Sequence, residues 1–134
     1  MPHCVILYTP NIERKTDVSA LCRKLADTML TVLDEQGKQV FPTGGTRVLA
    51  YPAAHYAVAD GKGEYGFMYV NVRMGAGRSE AVKKAVGDRL LGKVKEHFAP
   101  IFESELIGIT LQVDESPGQV YDGRHSTLHP LFNK

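Results

Sequence analysis

The apolar positions of this chain fall into two segments that share one plan. From His3 to Tyr8 the run Cys4-Val5-Ile6-Leu7-Tyr8 predicts a strand, which Thr9-Pro10-Asn11 ends. Val18, Leu21, Cys22, Leu25, Met29, Val32 and Leu33 then recur at helical spacing, the stripe of a helix from Asp17 to Gln36. Asp17 can cap its first turn through a side-chain acceptor, and Gly37 offers a stop. After the turn Phe41-Pro42-Thr43-Gly44-Gly45, Thr46 to Tyr51 reads as a second strand.

The second segment repeats the plan. Gly66 to Met74 is a strand carried by Phe67, Tyr69 and Val70, and Gly75-Ala76-Gly77 breaks it. Ser79 can cap a helix reaching Phe98, with Ala81, Val82, Ala85, Val86, Leu90, Val94 and Phe98 as its apolar stripe and Pro100 as its terminator. Leu106 to Val113 alternates so that Ile107, Ile109, Leu111 and Val113 share one face, as in a half-buried strand.

The order β-α-β, linker, β-α-β predicts an α/β (α+β) fold. Short loops and right-handed crossovers make the strands of each pair parallel, and the two units join as one four-stranded mixed sheet with both helices on one face. A chain of 134 residues is expected to form one domain. Residues 2–51 and 66–113 are its pseudo-repeat; the linker Pro52 to Glu64 and the tail 116–134 read as irregular. Helices on one face leave the other uncovered. The first and third strands carry apolar residues on both faces, so association through the open face is expected.

Charge and composition narrow the partners. Sixteen Lys and Arg against fifteen Asp and Glu leave a formal net charge of +1, no electrostatic footprint for nucleic acid or an acidic membrane. No segment approaches the roughly 18 apolar residues of a membrane span, and the start lacks the basic and long apolar regions of a signal peptide. Cys4 and Cys22 sit on apolar faces and read as buried thiols of a cytoplasmic protein, not as a disulfide framework.

Three features could carry chemistry. Pro2 follows the initiator methionine, which is normally removed before a small residue; a terminal proline is then a secondary amine able to accept a proton. Free α-amino groups titrate at about 7.7–8.0, so modest desolvation or a nearby cation keeps such an amine neutral at pH 7. Gly75-Ala76-Gly77-Arg78-Ser79 stands at a strand-to-helix turn. It is either an anion site built from backbone N–H groups and the Arg78 fork, or a capped turn with a solvated arginine. It lacks the third glycine of a dinucleotide fingerprint and the ending of a Walker loop. Arg47 follows Gly44-Gly45 where an apolar strand begins, and must be exposed, paired or aimed into a pocket. His3, His55, His97, His125 and His129 show no zinc spacing, and Pro130 opposes a helix joining His125 to His129.

Taken together, Pro2 on a strand, the tandem units, Gly45-Thr46-Arg47 and Gly75-Ala76-Gly77-Arg78-Ser79 resemble the tautomerase superfamily. Within it, Met1-Pro2-His3, Ala59-Asp60-Gly61, Met74 to Ser79 and His97-Phe98-Ala99 are similar in order and spacing to the 5-carboxymethyl-2-hydroxymuconate Δ-isomerases. The resemblance covers most of the chain and fades after Asp114. It implies a homotrimer packed through its sheets and an isomerase acting on a small carboxylate substrate, with neither metal nor organic cofactor. It gives Pro2 the role of acid/base, Arg47 a catalytic and substrate-binding role, and Arg78 a substrate-binding role. The reaction implied removes the 2-hydroxyl proton of a dienol acid and reprotonates carbon, giving the unsaturated 2-oxo acid. Leu49 stands where family members often carry a further arginine, and Gln119 to His129 departs from the family pattern, so the exact substrate stays open. A hydratase, dehalogenase or decarboxylase of the same superfamily and a non-catalytic binding homologue are the competing readings.

Overall fold

Cys4, Ile6 and Tyr8 alternate with Val5 and Leu7, and that alternation decides how the sheet is covered. In the computed structural model, which describes residues 3–132, Cys4, Ile6 and Tyr8 are buried while Leu7 is half exposed. The elements are β1 (His3–Tyr8), α1 (Val18–Leu30), β2 (Val48–Pro52), β3 (Gly66–Gly75), α2 (Glu80–Phe102), β4 (Ile107–Ser116) and α3 (His129–Phe132), with 3-10 turns at Pro10–Arg14 and Thr43–Gly45. The sheet order is β2-β1-β3-β4. β1 runs parallel to β2 and β3 parallel to β4, while β1 and β3 meet antiparallel, with His3 opposite Arg73 and Tyr8 opposite Met68. This is the mixed sheet the pattern predicts.

One face of the sheet is closed by both long helices. Cys4, Ile6, Tyr8, Met68, Val70, Val72 and Met74 form one apolar cluster with Leu21, Leu25 and Met29 of α1 and with the strict four-residue repeat Val82, Val86, Leu90, Val94 and Phe98 of α2. Ile107, Ile109, Leu111 and Val113 pack against that cluster from the edge strand, as their shared face predicts. The other face exposes Leu7, Leu49, Tyr51 and Phe67.

Three boundaries differ from the sequence reading. Helix α1 stops at Leu30, not Gln36. Thr28 and Thr31 return their hydroxyls to the carbonyls of Lys24 and Thr28, competing with the helix ladder. Val32 is buried all the same, because the chain doubles back: Val40 N–H donates to the Val32 carbonyl at 2.9 Å and Leu33 bridges Gln39. Gly37, read as a helix stop, instead takes the left-handed φ of 76° inside this excursion, which the Asp34 carboxylate closes by accepting from Gln36 and Lys38 N–H. Helix α2 runs past Pro100 to Phe102, because Ile101 still packs on the core and its carbonyl accepts from Ser104 and Glu105 N–H. The tail is not wholly irregular, since His129–Phe132 forms a helical turn; His125 lies outside it. Among the described residues no helix is long and apolar enough to cross a membrane, and no group of three His, Cys, Asp or Glu could hold a metal ion.

His97 ties the two helices together. Lys24 Nζ lies 3.1 Å from its Nδ1 and can only donate, so Nδ1 accepts and Nε2–H donates to Thr16 Oγ1 at 2.9 Å. Burial first, then the Lys24 charge, holds the imidazole below its ordinary value of 6.5, against the opposing pull of Asp17. The unfolded chain therefore binds this proton more readily than the folded one. The contribution of His97 to stability is fully present above about pH 6.5 and is lost as pH falls through the depressed folded value. Melting curves between about pH 7.5 and 5 should fall more steeply on acidification for the parent than for His97→Gln; equal slopes would remove this role.

Candidate active site

Parallel pairing of β1 with β2 brings the starts of both strands to one end of the sheet, and the antiparallel β3 ends there too. Cys4 N–H donates to the Arg47 carbonyl at 3.0 Å, so Arg47 is a hydrogen-bonded neighbour of the strand's first turn of backbone. His3 stands opposite Arg73, and the Gly75-Ala76-Gly77-Arg78-Ser79 turn leaves β3 shortly afterwards. Pro2 lies outside the described residues; it precedes His3 directly in the chain.

Arg47 is half-buried, and its Nη1 donates to the Gly45 carbonyl at 3.2 Å. It lines a cleft of about 510 Å³ between α1 and β2. Ser19, Arg23, Thr43 and Thr46 supply polar groups to the same cleft, and Cys22, Ala26, Leu30, Val48 and Phe132 supply apolar ones. Arg23 is held by Asp27 one helical turn on, with Nε 2.9 Å and Nη2 2.7 Å from the carboxylate. A guanidinium beside hydroxyls and apolar walls suits a carboxylate with an apolar carbon chain, whose charge needs a donor fork and whose chain does not.

Burial disfavours the reactive thiolate at both cysteines. Burial pushes the Cys4 thiol up to about 12, with Cys22 adding to the shift, and burial raises Cys22 as well.

Arg78 is also half-buried, and the 34–40 excursion holds it. Its Nη2 donates to the Val40 carbonyl at 3.2 Å, and its Nη1 lies 3.5 Å from Asp34 Oδ2. Backbone N–H of Lys38, followed by that of Gln36 and the charge of Arg78, keeps the Asp34 carboxyl below the usual carboxylate range. Ser79 caps α2, accepting from Val82 N–H at 3.2 Å, and donates to Glu35 at 2.5 Å. The Ser79 hydrogen bond in turn lowers the Glu35 pKa. The turn caps α2 through Ser79, and its arginine is paired with the 34–40 excursion instead of solvated. Among the described residues, Arg78 is not part of the Arg47 cleft lining. The structure thus brings Arg47 to the start of β1 and holds Arg78 against a separate turn at the same end of the sheet.

Sequence reasoning overlooked Arg23 and Phe132. Arg23 belongs to a stripe that was legible: Ser19, Cys22, Arg23, Ala26 and Leu30 follow helical spacing on the shoulder of α1 next to the core stripe. Phe132 gave no such signal, being remote in the chain and preceded by an irregular stretch.

Comparison with known proteins matches the model of one family, "5-carboxymethyl-2-hydroxymuconate isomerase", over residues 2–132. The 5-carboxymethyl-2-hydroxymuconate Delta-isomerase of Escherichia coli is 27% identical over 133 residues, 99% of this chain and 91% of that protein. Among solved structures, a 5-carboxymethyl-2-hydroxymuconate delta-isomerase is 51% identical with a TM-score of 0.94, covering 100% of this chain and 94% of that one. A 5-carboxymethyl-2-hydroxymuconate isomerase from Deinococcus radiodurans R1 is 30% identical with a TM-score of 0.84, over 99% of this chain and 95% of that one.

Proposed function

We infer the chemistry from one premise: this chain belongs to the 5-carboxymethyl-2-hydroxymuconate isomerase family, and it is a tautomerase-type isomerase. We propose that Pro2, freed of Met1, is its proton-transfer group and that the substrate is a 2-hydroxydienoate bearing two or three carboxylates. The neutral amine takes the proton of the 2-hydroxyl. The O–H electron pair becomes the carbonyl π bond at carbon 2, and the double bonds shift along the chain. The far carbon of the former dienol then receives the proton from the pyrrolidinium, regenerating the free amine. Atoms and charge balance without any cofactor.

Arg47 stabilises the charge that develops on the departing-proton oxygen, and it disfavours protonation of the amine. Arg78 binds a carboxylate, exchanging part of its loose 3.5 Å contact with Asp34 for the substrate. The observation that carries this reading is the hydrogen bond from Cys4 N–H to the Arg47 carbonyl. It couples the arginine to the strand that follows Pro2 in the sequence. The decisive assay incubates the protein with 2-hydroxymuconate and, separately, with a halo-acrylate. Loss of the dienol absorbance with no release of halide or carbon dioxide supports the isomerisation. Release of either would assign the cleft to a dehalogenase or decarboxylase.

Residues 1–134 act as one tautomerase-like domain in the cytoplasm, and three copies assemble. The apolar side chains left on the open face of the sheet, Leu7, Leu49, Tyr51 and Phe67, support assembly. The molar mass in solution at working concentration is expected to be that of a trimer; a monomer would end this part of the proposal.

A further inference from the structure

The tail bears on the same cleft. Ser126 Oγ accepts from Leu128 N–H at 3.0 Å and from His129 N–H at 3.3 Å, and lies 2.8 Å from His129 Nδ1. Leu131 N–H closes the turn on the Leu128 carbonyl at 3.1 Å. This turn rests on the Thr43–Gly45 loop so closely that a Cβ on Gly44 would stand 3.0 Å from His129 Cα and 3.3 Å from the Leu128 carbonyl oxygen. A Cβ on Gly45 would stand 3.4 Å from His129 Nε2. Two glycines therefore admit the tail two and three residues before Arg47, and Phe132 at its end lines the cleft. Phe132 is 50% exposed there, so part of its ring surface is open to a ligand.

We propose that α3 is a specificity wall, with Phe132 as a positioning residue that covers the flat, conjugated carbon chain of the substrate while Arg47 meets its polar end. The proposal rests on the Arg47 cleft being the isomerase site. The wall favours planar unsaturated dicarboxylates over saturated ones, because an aromatic face packs along a conjugated plane and less fully on a puckered chain. Gly44 is the companion element: its missing Cβ lets the wall approach.

The test measures turnover of 2-hydroxymuconate together with calorimetric binding of muconate, a planar dicarboxylate that lacks the hydroxyl and cannot react. Phe132→Ala is expected to raise KM and the muconate Kd roughly tenfold, the scale of a lost apolar pocket contact, with kcat nearly unchanged. Phe132→Tyr should restore both, and Gly44→Ala should reproduce the loss by displacing α3. Adipate, the saturated counterpart, should bind the parent more weakly than muconate, and Phe132→Ala should narrow the difference. Unchanged KM and Kd in Phe132→Ala would overturn the wall even if the parent isomerises the dienol. Muconate binding that depends on Phe132 in a protein that turns over no dienol would keep the wall and discard the isomerase reading. A parent that neither binds muconate nor turns over the dienol overturns both.

Discussion

Pro2→Ala is expected to lower kcat on a 2-hydroxydienoate by a hundredfold or more, within the roughly 10²–10⁴ contributed by a positioned acid/base. The variant is informative because it keeps an amine. A small second residue still allows removal of the methionine, so alanine leaves a primary α-amino group with an ordinary pKa near 8. What it loses is the ring, which bars rotation about the N–Cα bond and holds the nitrogen lone pair in one direction. A base must first be within reach of its proton and only then have the right pKa. The size of the loss therefore measures position more than basicity. The complementary form keeps Met1: its Pro2 nitrogen is an amide, with no basic lone pair, and should be inactive at every pH. Mass spectrometry of the amino terminus identifies which form is being assayed. Parental activity in Pro2→Ala, or in a preparation that retains Met1, would end the amine mechanism.

How much of this was legible depends on which physical signal each part leaves. Alternation in β1, β3 and β4 and the stripes of α1 and α2 are short-range patterns, and they yield the sheet and its covered face. Helix ends were less legible, because burial and helicity are separate causes of an apolar position. Val32 is buried by a doubling-back of the chain, not by continuation of α1, and Ile101 carries α2 beyond a proline. The site divides in the same way. Arg47 was conspicuous because a charged residue opens an apolar strand. Arg78 was conspicuous at a glycine-rich turn, but its ion pair with Asp34 depends on the excursion that the helix prediction had absorbed. Arg23 was visible only as part of a second helical stripe, and Phe132 reaches the cleft because Leu128 and His129, remote in the chain, pack on Gly44. Local pattern reads elements well and reads long-range juxtaposition only through a resemblance. The three isomerases at 51%, 30% and 27% identity carry that resemblance here, and every one is named for the same reaction.

Arg47→Ala is the second large effect, a fall in kcat of roughly 10²–10³, the measured scale for removing one donor to a developing oxyanion. Its fold cost should be small, because the Arg47 link to β1 runs through its backbone carbonyl, which alanine keeps, and among the described residues the side chain donates within its own turn, to Gly45. Kinetics then separate two roles. Binding the ground-state carboxylate alone would raise KM and spare kcat; meeting the charge formed in the transition state lowers kcat and kcat/KM together. The pH profile adds an independent sign. A guanidinium beside an amine favours its neutral form and lowers its pKa. Removing that charge raises the amine pKa, so a larger part of the enzyme is protonated at pH 7 and the acid limb of kcat/KM moves to higher pH. Arg47→Lys should hold the acid limb near its parental position, since the charge remains, yet recover only part of kcat, because an ammonium lacks the planar fork. A variant that loses turnover with no movement of the limb would leave Arg47 an oxyanion donor but remove its influence on Pro2. A limb that moves with kcat intact would reverse the assignment and leave the arginine as a tuner of the base.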